Sequence, residues 1–175
     1  AAQHSPAMFS FFSRTAERVL ERDGIIEFLK RYLGSSKSDI EALVTFIGAK
    51  SNGKPINVPA THPEEKKMYQ IGEYIFYRRS GPQDFSCAIC HGQNDKRIRL
   101  QDLGNLTTKE GAGTAMKTWP SYRVSQGAVW TMERRLIDCM RQARFPEPNY
   151  LSDSIVALQV YLQKNATGTV METPG

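Results

Sequence analysis

The run Cys87-Ala88-Ile89-Cys90-His91 constrains this chain more than any other feature, because it has the C-x-x-C-H spacing of a c-type haem attachment site. Each of the two thiols, separated by two residues, can add across one porphyrin vinyl group. The histidine that follows can reach the iron from the same side, so Cys87 and Cys90 form the covalent tether and His91 is the expected axial ligand. A zinc half-site would need a second Cys or His pair. Only Cys139, His4 and His62 remain, and none has the paired spacing. A thioredoxin-like pair would want a preceding β-strand and has no use for the histidine. One covalent haem c is the reading. Its maturation takes place outside the cytoplasm, which makes the periplasm the expected compartment. No signal peptide is visible at Ala1, as expected where a leader has been removed.

At 175 residues, 40% hydrophobic and 23% charged, the chain has the balance of a soluble globular protein, and no apolar run approaches the length of a membrane span. The net charge of +5 admits an anionic substrate or an acidic partner. Nucleic acid is not expected, since the basic residues are scattered in pairs such as Lys66-Lys67, Arg78-Arg79 and Arg134-Arg135, with no zinc-finger spacing or aromatic RNA-binding signature.

The flanks of the motif predict an all-α, cytochrome c-like fold. Thr61-His62-Pro63-Glu64 offers an N-cap threonine, a first-turn proline and a capping glutamate; Met68, Ile71, Ile75 and Phe76 give the helix that follows an apolar stripe, and Gly81-Pro82 bounds it. A last helix begins at Ser152 or Ser154, carries Leu151, Ile155, Leu158 and Leu162, and ends at Ala166-Thr167-Gly168. Shifting residues 38–53 by 115 positions superimposes Ile40, Leu43, Phe46, Ile47 and Gly53 on Ile155, Leu158, Tyr161, Leu162 and Gly168. Ser38 and Glu41 suit a capping box at the start of that earlier helix. The expected organisation is a haem-free N-terminal region over 1–60, a linker at Asn52 to Pro59, and a haem domain over 61–175. Gly111-Ala112-Gly113 is expected to be a flexible surface loop.

The second axial ligand decides what the haem does, and the candidates are Met116, Met132, Met140, Met171, His4, His62 and Cys139. A methionine would make a plain electron carrier. Between Gly127 and Arg144 the composition predicts one helix, with Val129, Met132, Leu136, Cys139 and Ala143 on one stripe. Arg135 precedes Cys139 by four residues and so is its surface neighbour, where a guanidinium lowers a thiol pKa and can hold an anion. Trp119, Tyr122 and Arg123 wall the haem or pack the core.

The segments Gly72-Glu73-Tyr74-Ile75-Phe76, Phe85-Ser86-Cys87-Ala88-Ile89-Cys90-His91-Gly92, Trp119-Pro120-Ser121-Tyr122-Arg123 and Glu133-Arg134-Arg135-Leu136-Ile137-Asp138-Cys139 together resemble the SoxA family, over about residues 38–175. SoxA is the haem c subunit of the SoxAX complex of bacterial thiosulfate oxidation. The resemblance implies that Cys139 is the distal haem ligand, often a persulfide in that family, and that Arg135 belongs to the active site. It implies a SoxX cytochrome partner, the carrier protein SoxYZ, and an L-cysteine S-thiosulfotransferase reaction that joins thiosulfate to a carrier cysteine with loss of two electrons. Many family members carry a further haem in an N-terminal domain; residues 1–37 contain no cysteine, so a single-haem form is expected. A monohaem electron-transfer cytochrome and a thiosulfate dehydrogenase forming tetrathionate are the alternatives.

Overall fold

The computed structural model describes residues 37–98 and 100–175. The helices are α1 (Lys37–Ser51), α2 (Pro63–Tyr77), α3 (Cys87–His91), α4 (Lys109–Met116), α5 (Met132–Gln142) and α6 (Asp153–Asn165). Between them lie two antiparallel hairpins, β1 (Lys96–Ile98) with β2 (Gln101–Leu103), and β3 (Ser121–Arg123) with β4 (Ala128–Trp130). The frame is therefore mainly helical, and the all-α expectation is corrected by these hairpins. Among the described residues no helix is long and apolar enough to cross a membrane.

The most extensive helix contact is between α2 and α6. Its closeness depends on Gly72, where a Cβ would lie 2.0 Å from the Ala157 carbonyl oxygen and 2.8 Å from Tyr161 Cβ. One turn further on, Phe76 is fully buried and stacks at a tilt on Tyr161, with centroids 5.2 Å apart. This glycine and this aromatic, four residues apart in the sequence, thus make the helix crossing. Along α6 the run Ile155 to Leu162 is buried on all sides, since α2, α4 and α5 all pack against it.

Several local expectations shift. The capping box of α2 is set one residue later than Thr61 and Glu64. His62 is the N-cap, its Nδ1 accepting from Glu64 N at 3.2 Å, while Glu65 accepts from the backbone N–H groups of His62 and Thr61. The Gly111-Ala112-Gly113 loop is helix α4, capped by Thr108, whose hydroxyl accepts from Gly111 N. Those glycines serve close packing rather than mobility: a Cβ on Gly111 would sit 2.0 Å from Asn105 O, and one on Gly113 would sit 2.3 Å from Thr169 Oγ1.

The single helix expected from Gly127 is split. Gly127 adopts a left-handed φ of 59° after a short 3-10 turn, Ala128–Trp130 pairs with β3, and α5 starts only at Met132, capped by Thr131 accepting from Arg134 N. The β-branched and aromatic residues Val129 and Trp130 suit a strand, and Thr131 supplies a helix start that the periodic stripe ran across.

The repeat between residues 38–53 and 153–168 falls on α1 and α6, and both segments end on a glycine of positive φ, Gly53 at 79° and Gly168 at 89°. The aligned side chains differ in setting, with Phe46 exposed and Tyr161 buried. The Ser38 side chain, and His4 with residues 1–36, lie outside the described residues. Residues 53–58, expected to link two parts, run alongside 168–171 through Gly53 N to Met171 O, Met171 N to Lys54 O, Ile56 N to Thr169 O and Gly168 N to Ile56 O. Ile56 and Val58 are buried in the same core as α6.

Candidate functional site

Ser86 caps the short helix α3 by accepting from Ile89 N, and this one turn places Cys87 and Cys90 three residues apart on one face with His91 next to them. Both thiols are free and half-buried. Burial pushes the Cys87 thiol up to about 12, and the nearby Cys139 and Cys90 sulfurs raise it further against a lowering backbone hydrogen bond. Cys139 on α5 therefore lies close enough to the motif for the sulfurs to interact.

His91 is held at two points by the segment that follows β2. Its carbonyl accepts from Leu106 N at 2.8 Å, and its Nδ1 lies 2.9 Å from Gly104 O. A carbonyl only accepts, so Nδ1 must carry the proton and Nε2 is left with a free lone pair. A ring fixed in that tautomer fits an axial iron ligand, and two free thiols one turn apart fit two thioether links, so these residues fit a c-type haem. Sequence reasoning did not find Gly104, because a backbone acceptor leaves no mark in residue type.

The other axial candidates among the described residues are four methionines and His62, besides Cys139. Met116, Met132, Met140 and Met171 are buried members of the apolar core. His62 uses its Nδ1 to cap α2. Cys139 is half-buried on α5. Its thiol is raised above the ordinary value: burial raises it most, Arg135 lowers it, Asp138 raises it, Arg123 lowers it, and Cys90 raises it. The lowering expected from Arg135 is present but outweighed by burial.

Arg135 is oriented by its neighbour. Its Nη1 lies 3.3 Å from Asp138 Oδ2, and Asp138 also accepts from Arg141 Nη2 at 2.5 Å and Gln142 Nε2 at 2.6 Å. Burial alone would raise the Asp138 carboxyl, but these hydrogen bonds and the charges of Arg141 and Arg135 hold it below the ordinary range. Asp138 was not singled out in the sequence, although its i+3 spacing from Arg135 is a usable signal. Next to it on α5, Arg134 pairs with Glu41 of α1 at 2.6 Å and lies over the Trp130 ring, 4.3 Å from its centroid. Trp119 donates Nε1–H to Ala115 O at 2.8 Å and packs against the core, while Tyr122 is exposed.

A family model described as the SoxA/TsdA cytochrome c domain matches residues 71–171, which contain Cys87, Cys90, His91, Arg135 and Cys139. The chain belongs to the SoxA/TsdA cytochrome c family. Members of this domain family carry covalently bound haem c, and this chain is a haem c domain of that kind. Among its relatives, the L-cysteine S-thiosulfotransferase subunit SoxA of Hydrogenophilus thermoluteolus is 47% identical over 89% of this chain and 56% of its own length. A subunit of the same name from Hydrogenobacter thermophilus is 35% identical over 100% of the chain and 67% of its own length. The crystal structure of SoxXA from P. pantotrophus matches 94% of this chain and 58% of that one, with a TM-score of 0.70 at 24% identity. The chain thus spans little more than half of the Hydrogenophilus relative, and the SoxXA likeness establishes the SoxA-type fold.

Proposed function

We propose that this chain is the catalytic haem c subunit of an L-cysteine S-thiosulfotransferase, joining thiosulfate to a cysteine of a SoxYZ-type carrier in the periplasm, with a SoxX-type cytochrome as its partner. The observation that carries the reading is the setting of Cys139, a half-buried thiol next to the haem-attachment cysteines and acted on by both Arg135 and Arg123. In this reading Cys87 and Cys90 would hold the porphyrin, and His91 Nε2 and Cys139 Sγ would be the groups offered to its iron. Residues 1–60 are taken as a haem-free region and 61–175 as the haem domain of a mainly helical cytochrome unit; residues 53–58 pair with 168–171, which supports close association where the two meet.

Haem c supplies, when bound, one-electron redox chemistry beside the reacting sulfur, the second electron leaving to the partner cytochrome. Cys139 provides the sulfur that is oxidised. Its thiol loses a proton, a bond forms between Sγ and the outer sulfur of thiosulfate, and two electrons leave, giving a Cys139 S-thiosulfonate: RSH + S2O3(2−) → RS–S–SO3(−) + H(+) + 2e(−). The carrier thiolate then attacks the sulfur of that group, taking the thiosulfonate and returning Cys139 as a thiolate. Arg135, held by Asp138, offsets the charge of the incoming dianion and of the departing thiolate. Arg135 and Arg123 act on Cys139 against the rise that burial causes, so these cations favour an anion attached to its sulfur.

The test is intact-mass analysis of a SoxYZ-type carrier after incubation with thiosulfate, the purified holoprotein, its cytochrome partner and an electron acceptor. A carrier gaining one thiosulfonate with wild type and none with Cys139→Ser is the expected result. Tetrathionate with no carrier adduct would instead assign thiosulfate dehydrogenase activity, and absence of both products would leave a plain electron carrier. The same spectra report whether Cys139 rests as a persulfide.

A further inference from the structure

The carbonyl that fixes the His91 ring lies in an exposed contact. The distance between His91 Nδ1 and Gly104 O is 2.9 Å, and water has access to both groups, so the bond lasts only where the carbonyl is kept in place. Gly104 has no side chain with which to anchor itself, but the next residue does. Asn105 Nδ2 donates to Asn94 Oδ1 at 3.0 Å, and Asn105 Oδ1 accepts from Thr107 N at 3.1 Å and from Thr107 Oγ1 at 2.6 Å. The Asn105 carbonyl accepts from both Thr108 N and Thr108 Oγ1, and Thr108 is the cap of α4.

Register explains why the two asparagines meet. Lys96 pairs with Leu103 at the base of the β1–β2 hairpin, and the same register carried two residues outward sets Asn94 opposite Asn105. Between them Asp95 has a left-handed φ of 60°, which takes its backbone out of the ladder. The side-chain bond therefore closes the hairpin base where backbone pairing has stopped. Asn94 follows the haem motif by three residues and Asn105 adjoins Gly104, so this clasp ties together the same two segments that the His91 bond joins.

We propose that Asn105 is a positioning residue for the proximal ligand: through its bond to Asn94 it sets where the Gly104 carbonyl stands, and so how firmly the His91 ring is held. This rests on His91 being an axial ligand, as in the function proposed above. A ring whose N–H is well bonded is the stronger donor to a metal through its other nitrogen, and hydrogen bonding behind a ligand is one means by which a protein sets a haem potential. Loosening the clasp weakens that donor, which costs the oxidised iron more than the reduced, and the midpoint potential rises.

The experiment uses the holoprotein as wild type, Asn105→Ala, Asn94→Ala and Asn94→Asp, with haem content equal to wild type as the criterion of folding. Asn94→Asp keeps the acceptor oxygen and is the conservative replacement. Heteronuclear NMR of the reduced protein with isotope-labelled histidine gives the solvent exchange rate of the His91 Nδ1 proton, expressed as a ratio to the slowest backbone amides of α6, which report global opening. The midpoint potential is measured for the two alanine variants. Expected is a roughly fivefold rise of the ratio in Asn94→Ala, where one hydrogen bond is lost, and a larger rise in Asn105→Ala, where three are lost. Asn94→Asp stays near wild type, and the potential rises in both alanine variants. A ratio unchanged in both alanine variants, or an unchanged potential in both, overturns the assignment and leaves Asn105 a contributor to stability alone. Should Asn105→Ala take up no haem, Asn94→Ala decides by the same two readouts. If the wild type shows His91 as an iron-bound ring while the ratio stays fixed, only the role of Asn105 falls; if it does not, the ligand reading falls with it.

Discussion

Replacing Gly72 with Ala sets two effects of opposite sign against each other, and the structure decides which wins. In an isolated helix the change is favourable by about 1 kcal/mol, because Ala is the better helix former. Here the added Cβ would stand 2.0 Å from Ala157 O, where ordinary contact begins near 3.4 Å, and 2.6 Å from Ala157 C. The obstacle is the backbone of α6, which has no rotamer to change, so α2 must move away along the crossing. A separation of 0.5–1 Å already forfeits a quarter to a half of each dispersion contact, and Phe76, Leu158, Tyr161 and Leu162 are all buried in the core that the crossing holds together. Overpacking of this kind costs about 3 kcal/mol, which leaves Gly72→Ala less stable by about 2 kcal/mol after the propensity gain. That corresponds to a fall of roughly 4–8 °C in Tm, readable by thermal denaturation followed at the Soret band and by circular dichroism of the holoprotein. A variant as stable as wild type, or more so, would refute the close crossing and leave propensity as the only effect.

Other perturbations have expected outcomes as definite. Cys139→Met changes the visible haem spectrum of the holoprotein and abolishes thiosulfate conjugation; an unaltered spectrum removes the ligand assignment. Thr131→Ala deletes the cap on Arg134 N and lowers stability by about 1 kcal/mol in denaturant titration, with Thr131→Ser close to wild type. Asp138 has a carboxyl held below the ordinary range, so the folded state binds fewer protons than the unfolded one: its contribution is present above about pH 4 and fades as pH falls through the lowered value. Asp138→Asn therefore destabilises at pH 7 by about 1 kcal/mol, a modest value because its partner Arg141 is largely exposed, and the gap between variant and wild type closes on acidification. Glu133 has the reverse sign. Burial raises its carboxyl despite the hydrogen bond from Leu151 N, so stability is lost as pH rises through that raised value, and Glu133→Gln gains most over wild type at neutral pH and least near pH 4.

Helical periodicity and the C-x-x-C-H spacing carried the frame of the fold, because both are local. Phe76 and Gly72 one turn apart, and Ile155, Leu158 and Leu162 on one stripe, are separations that a helix fixes by itself. The errors came where a neighbour outvoted the local pattern. Val129 and Trp130 fit the apolar rhythm of the helix that follows, yet Tyr122 and Ser121 stand opposite them and draw them into a strand. The Gly111-Ala112-Gly113 run has the composition of a loop, but its glycines let α4 approach Asn105 and Thr169, distances that only the folded chain defines.

The candidate site divides along the same line. Cys87, Cys90 and His91 were singled out by a short spacing, and Arg135 and Cys139 by their separation of four on a helix together with the family resemblance. What orients them was not: His91 takes its tautomer from the Gly104 carbonyl, thirteen residues away on the far side of a hairpin, and any residue could have supplied that oxygen. The behaviour of Cys139 shows why spacing alone misjudges electrostatics. A guanidinium four residues before a thiol argues for a thiolate, yet the fold buries the sulfur, sets the Asp138 carboxylate beside it, and brings Arg123 from another element. The free thiol is favoured neutral, while two cations remain for whatever negative charge is attached to it. That setting arises from burial and from a strand, neither of which the Arg-x-x-x-Cys spacing contains.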